Sequence, residues 1–176
     1  MASLFLSHFS LLRGVYKCFK SGRLKCDHFL LFWWEHDIKI SAQEFMSREI
    51  DNLIEQLSWN GTEEQQRQAI DALVAQIPHR ELYKLMRPGE VKDTWQNAAE
   101  VIARYNRKFG QQEILGMFEW LQDINWPGAS VIFKKLNSMS RQQISAPLEM
   151  AMCQAKHTND QEWMEQLVKI RDNNEI

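Results

Sequence analysis

Cysteine is scarce. Cys18, Cys26 and Cys153 make up the whole complement, too few for the dense disulfide framework that staples small secreted domains, so a reduced, cytoplasmic compartment is the simplest expectation. Glycine is thinly spread as well: seven scattered residues include neither Gly-x-Gly-x-x-Gly nor the Walker loop, and build no phosphate cradle. Long apolar runs are missing. The run from Phe29 to Trp34 falls far short of the roughly 20 residues needed to cross a bilayer. Leu4-Phe5-Leu6 follows no positive charge and is cut short by Ser7, His8 and Ser10, which makes a poor secretion signal. There is no excess of positive charge either. A net charge of −2 and a pI near 6.2 give no long-range pull on nucleic acid or anionic lipid, and no contact with either is expected.

The sites that chemistry needs are also lacking. No Gly-x-Ser-x-Gly elbow and no His-Glu-x-x-His occurs, and past residue 45 the histidines are His79 and His157, so neither a nucleophilic hydrolase nor a zinc protease is legible. Cys153 and His157 lie four apart, on one side of a helix, but no neighbouring stretch supplies two further metal ligands. A packed cysteine and a helix-end histidine are the expected roles. Glu63-Glu64 falls in a first helical turn, where negative charge complements the helix dipole. No catalytic residue, no metal and no cofactor is expected.

What is present divides at residue 45. Residues 1–45 are rich in aromatics (Phe5, Phe9, Tyr16, Phe19, Phe29, Phe32, Trp33, Trp34, Phe45), yet their apolar positions keep neither a 3.6 nor a 2.0 period for long. They read as an irregular segment. It is open to three readings: an arm that binds a membrane surface or a partner; a zinc site from Cys18, Cys26, His28 and His36, though without the close ligand pairs that pre-organise a tetrahedral site; or a start placed too early. The composition break favours the third, with the mature chain beginning at Met46 or Ser47.

From residue 46 to 176 one apolar template recurs: a hydrophobe at i, i+3, i+4 and i+7, which is one face of a helix. It appears in Ile50-Leu53-Ile54-Leu57, Ile70-Leu73-Val74-Ile77, Trp95-Ala98-Ala99-Ile102, Ile114-Met117-Phe118-Leu121 and Ala129-Ile132-Phe133-Leu136. Leu148-Met152-Ala155 and Trp163-Leu167-Ile170 keep shorter versions. Start signals sit at Ser47, at Thr62 with Gln65 as a capping box, near Pro78, at Asp93 or Thr94, at Gly110, at Asn125 before Pro127, at Ser145 before Pro147, and at Asn159. These predict eight helices, in pairs that open near 47, 79, 112 and 146. Gaps this short make neighbours antiparallel, and one pair cannot cover its own apolar stripe, so pairs must stack. The expected fold is all-α: a short, curved α-solenoid of about four antiparallel helix pairs, with a compact eight-helix bundle as the competing arrangement. Tetratricopeptide and ankyrin signatures are missing, which leaves HEAT-like as the better label.

Two clusters invite a functional reading. Arg104, Tyr105, Arg107 and Lys108 form a basic and aromatic group, but at a helix C-terminus, where cations stabilise exposed carbonyls. Trp120 to Ala129 is more distinctive. It reads as a helix stop, a short turn and a restart, with Asn125 able to cap, Pro127 pre-set for a first turn, and Gly128-Ala129 leaving room for a close neighbour. Trp120 and Trp126 are suited to anchor a partner, and with Asp123 and Asn125 they are the candidate binding residues; structural packing of the corner is the plainer role.

At these residues the chain resembles a bacterial family of small HEAT-like helical domains of unknown function. The resemblance rests on Trp95-Gln96-Asn97-Ala98-Ala99, on Leu121 to Ala129 with its Asn-Trp-Pro-Gly core, and on Thr158-Asn159-Asp160 with Glu162-Trp163. It runs from about Leu57 to Val168 and leaves out residues 1–45. It implies a fold and carries over no catalytic residues. The resulting expectation is a non-enzymatic module that binds another protein, an immunity or antitoxin-like protein being one concrete variant. The alternative is an enzyme in which Glu119, Asp123 and His157 converge in a groove.

Overall fold

The computed structural model describes residues 43–86 and 91–174. The chain divides into two compact units, Met1–Phe45 and Met46–Ile176. The readings placed on residues 1–42, among them the aromatic arm and the Cys18, Cys26, His28 and His36 zinc site, lie outside the described residues. The described residues are all-helical, with no strand. None of their helices is long and apolar enough to cross a membrane.

Among the described residues seven α-helices follow one another: α1 (43–55), α2 (Glu63–Gln76), α3 (Trp95–Arg104), α4 (Gln111–Glu119), α5 (Ala129–Asn137), α6 (Arg141–Thr158) and α7 (Gln161–Asn173). Between α2 and α3 stands a 3-10 rod, His79–Leu85, where the sequence predicts an α-helix. The tighter winding sets its side chains in three stacked pairs. Leu82 and Leu85 are buried three residues apart, Glu81 and Lys84 face α1 three apart, and Arg80 and Tyr83 are exposed three apart. A winding of three residues per turn stacks each pair.

The template residues of the sequence are buried or half-buried throughout, with Ala98, Ala99, Ile102, Met117, Phe118 and Leu121 fully enclosed. Packing follows two alternating rows. In one, the 3-10 rod packs on α4 and α4 on α6; in the other, α2 packs on α3, α3 on α5 and α5 on α7. Partners within a pair also touch: the rod on α3, α4 on α5, α6 on α7.

Polar contacts repeat with the same step. Asn97 Nδ2 donates to Gln66 Oε1 at 2.7 Å, 31 residues back, and to the Leu57 carbonyl. Arg104 pairs with Asp71 across 33 residues. Gln96 Oε1 accepts from the Gly128 N–H, 32 residues on, and Asn173 Nδ2 donates to Asn137 Oδ1 across 36. Helix ends are treated alike: Arg107 reaches the Ala75 and Ile77 carbonyls that close α2, and Lys135 Nζ the Ala103 and Tyr105 carbonyls that close α3. Cations at a helix C-terminus satisfy carbonyls that have no partner within the helix.

Several predicted starts move. Thr62 and Gln65 do form a capping box, and Gly110 does precede α4. Ser47, however, lies inside α1, where its hydroxyl accepts from Lys84 and donates to Glu81. For α6 the start is Ser140, which forms a capping box with Gln143, rather than Ser145, and Pro147 sits within the helix. Its missing N–H interrupts the ladder in mid-helix instead of opening it. Asn159 ends α6 in the left-handed conformation (φ 56°), and Asp160 caps α7 by accepting from the Trp163 N–H. A short polar residue tolerates that conformation and frees its neighbour to start the next helix.

One polar cluster joins α1 to the 3-10 rod. Lys84 Nζ donates to Asp51 Oδ1 at 2.6 Å and to Ser47 Oγ at 2.8 Å, and lies 3.0 Å from Glu81 Oε2. Burial pulls the ammonium down, but the hydrogen bonds and charges of Asp51 and Glu81 outweigh it and hold its pKa above the ordinary lysine value. A pKa raised by folding means that the stabilisation is whole below the unfolded value of 10.5 and is lost as pH climbs through the folded one. Lys84→Met leaves the buried Glu81 carboxylate without its nearest cation, a loss expected to cost about 2–3 kcal/mol, because a partly exposed pair falls below the 3–5 of a fully buried one. Urea titrations at pH 7 and pH 11 check this. The gap between wild type and variant should narrow at the higher pH.

Candidate interaction site

The corner between α4 and α5 is built around three indoles. After α4, a single 3-10 turn, Trp120–Gln122, carries Trp120 into the core, where it is fully buried. Its Nε1 donates to the Pro127 carbonyl at 2.9 Å, closing the loop on itself. Trp95, the first residue of α3, meets Trp120 edge-on at 5.8 Å between ring centroids and Trp126 at 5.3 Å. Edge-to-face geometry sets the positive rim of one ring on the negative face of another. Lys92 Nζ lies 4.6 Å from the Trp126 centroid and 5.4 Å from that of Trp95, so one ammonium covers both indoles.

The backbone of the corner is fixed as firmly. Asp123 Oδ1 accepts the Asn125 N–H at 2.8 Å, the Asp123 carbonyl accepts from Trp126 N, and the Trp126 carbonyl from Ala129 N. Gly128 then caps α5 at φ +83°, its carbonyl accepting from Val131 and Ile132. A Cβ at this position would lie 2.5 Å from Ala99 Cβ and 2.9 Å from the Trp95 carbonyl. Glycine is therefore needed twice, for its backbone angle and for the closeness of α3.

The four candidate binding residues separate accordingly. Trp120 is enclosed and spends its N–H on Pro127, so it holds the corner together and does not reach the surface. Trp126 is half-buried beneath Lys92, Asp123 is half-buried, and Asn125 is exposed. The predicted capping roles change too. Asn125 does not cap α5, and Pro127 precedes its first turn, because the left-handed Gly128 begins the helix instead. Sequence reasoning overlooks Lys92 and Gln96, which tie α3 to this corner. Gln96 stands in the Trp95-Gln96-Asn97-Ala98-Ala99 segment that carries the resemblance, but nothing in that segment marks its side chain as a contact.

The other candidates fall elsewhere. Tyr105 is buried and Arg107 lies over its ring, so the basic group is largely engaged within the fold. Glu119 ends α4, while Cys153 and His157 are exposed on α6. Among the described residues no group of three or more His, Cys, Asp or Glu is arranged to hold a metal ion. A shallow groove of about 390 Å³ is lined by Glu100, Ala103 and Val131 with Lys134, Lys135 and Ser138. Burial pushes the Lys135 ammonium below the ordinary lysine value.

Residues 96–175 match the model of a family described as Domain of unknown function (DUF5071). This region begins within α3 and takes in the whole Trp120 to Ala129 corner. Comparison with curated proteins and with solved structures returns no match.

Proposed function

We propose that this chain is a non-enzymatic protein-interaction module, its helix pairs stacked as a short HEAT-like α-solenoid in the cytoplasm of a bacterium. The observation that carries the reading is the repeated step: polar contacts join residues 30 to 37 apart, pair after pair. A scaffold whose units each contact only their neighbours presents extended faces and edges, which is how repeat proteins engage other chains. An immunity or antitoxin-like role, blocking a toxin by binding it, is the concrete variant.

Affinity purification of the full chain from its native host, followed by mass spectrometry, tests the reading. A partner recovered in stoichiometric amount is the expected result. A chain that elutes alone and turns over metabolites in an untargeted screen overturns it.

A further inference from the structure

The turns inside successive helix pairs lie side by side. The Trp59 N–H donates to the Asp93 carbonyl at 3.0 Å, and Asp93 Oδ2 accepts from Ser58 and Asn60, which joins the first turn to the second. Lys92, over the Trp126 ring, joins the second to the third. Each turn holds an exposed apolar side chain: Trp59 (53 % exposed), Val91 (69 %) and Ile124 (39 %). Their numbers advance by nearly the same step as the helices, so the exposure recurs at equivalent places. Scattered single hydrophobes on a surface need no explanation, but a row of them along one edge marks a contact surface.

Charge narrows the occupant. Glu63, Asp93 and Asp123 stand in or beside these turns, and the cation among the described turn residues, Lys92, is drawn over two indole faces. Such an edge repels phosphate-rich surfaces, whether nucleic acid or anionic lipid, and attracts a basic one.

We infer that the edge carrying Trp59, Val91 and Ile124 is the docking surface, and that its partner is a protein segment presenting an aliphatic or aromatic side chain flanked by lysine or arginine. The inference rests on the interaction-module reading and adds to it the face and the chemistry of the partner.

Panning a phage-displayed library of random peptides on the purified full chain tests it. Enriched peptides should place Lys or Arg beside a large apolar residue and bind more weakly as salt is raised. Trp59→Ser and Asp123→Asn should each weaken them about tenfold, a loss that sets a residue apart from the near-neutral majority of an interface, with circular dichroism and melting temperature unchanged. The side-chain amide oxygen that Asp123→Asn introduces can still accept from the Asn125 N–H, so this second variant removes charge and spares the turn. Neutral or acidic consensus peptides, or binding indifferent to both variants, overturn the inference. So does a dimer in sedimentation that Trp59→Ser abolishes, or retention on vesicles of anionic lipid. A native partner that binds wild type and both variants equally refutes the edge while leaving the module reading intact; a host preparation that yields no partner at all counts against the module itself.

Discussion

Gly128→Ala is expected to lower the unfolding free energy by about 2–5 kcal/mol, combining about 1–2 for a left-handed non-glycine residue with about 1–3 for an overfilled core. Neither part is easily relieved. The added methyl meets Ala99 Cβ and the Trp95 carbonyl, atoms fixed to the backbone of α3, so a helix must move and not merely a side-chain tip. With a total stability of about 5–15 kcal/mol for a typical domain, the variant should melt on the order of 10 °C lower. Gly61→Ala is the control. Its Cβ would sit 3.4 Å from Ser58 O and Gln65 Oε1, at ordinary van der Waals separation, and its melting temperature should stay close to that of wild type. Calorimetry of the two variants separates a general intolerance of larger residues in turns from the particular demand at the corner.

Trp120→Ala should cost about 3–5 kcal/mol, as removal of a large buried aromatic does. It takes away the ring against which Trp95 packs and the N–H that closes the loop on Pro127. Trp120→Phe keeps most of the volume and isolates the hydrogen bond. That variant should lose about 1–2 kcal/mol, toward the low end of the cost of leaving a carbonyl without its donor, since this one is only part-buried. Trp126→Ala removes a half-buried ring that Lys92 covers, a contact worth about 0.5–1 kcal/mol near the surface, and should be the mildest of the three. Urea titrations followed by circular dichroism rank them. A Trp126→Ala variant less stable than Trp120→Ala would reverse the assignment of Trp120 as the structural centre of the corner.

Apolar spacing made the helices legible because burial acts on every turn of a rod. Ile114, Met117, Phe118 and Leu121 share one stripe, and all four are buried. Ends were read less well, since a cap depends on one side chain and several residues can compete for the place. Ser140 with Gln143 satisfied the capping-box pattern as fully as Thr62 with Gln65, yet Pro147 drew attention to Ser145. At the corner, Asn125 and Pro127 carried strong start signals, but the adjacent glycine could take a left-handed angle and beat both. The 3-10 rod reads from the sequence as an α-helix because Leu82 and Leu85 form too short a pattern to distinguish a period of 3.0 from 3.6. Among the binding candidates, the composition of Trp120 could not tell an inward ring from an outward one. Only the packing of α3 against α5, through Trp95, Ala99 and Gly128, decides that.

Arg107 and Lys135 each close a helix that was finished some 30 residues earlier in the chain. During synthesis, the carbonyls at the end of α2 and then of α3 must rely on water until the next stretch of chain emerges and its cation arrives. Synthesis from the ribosome thus delivers the closing cation for α2, and later the one for α3, only after the helix it serves is complete.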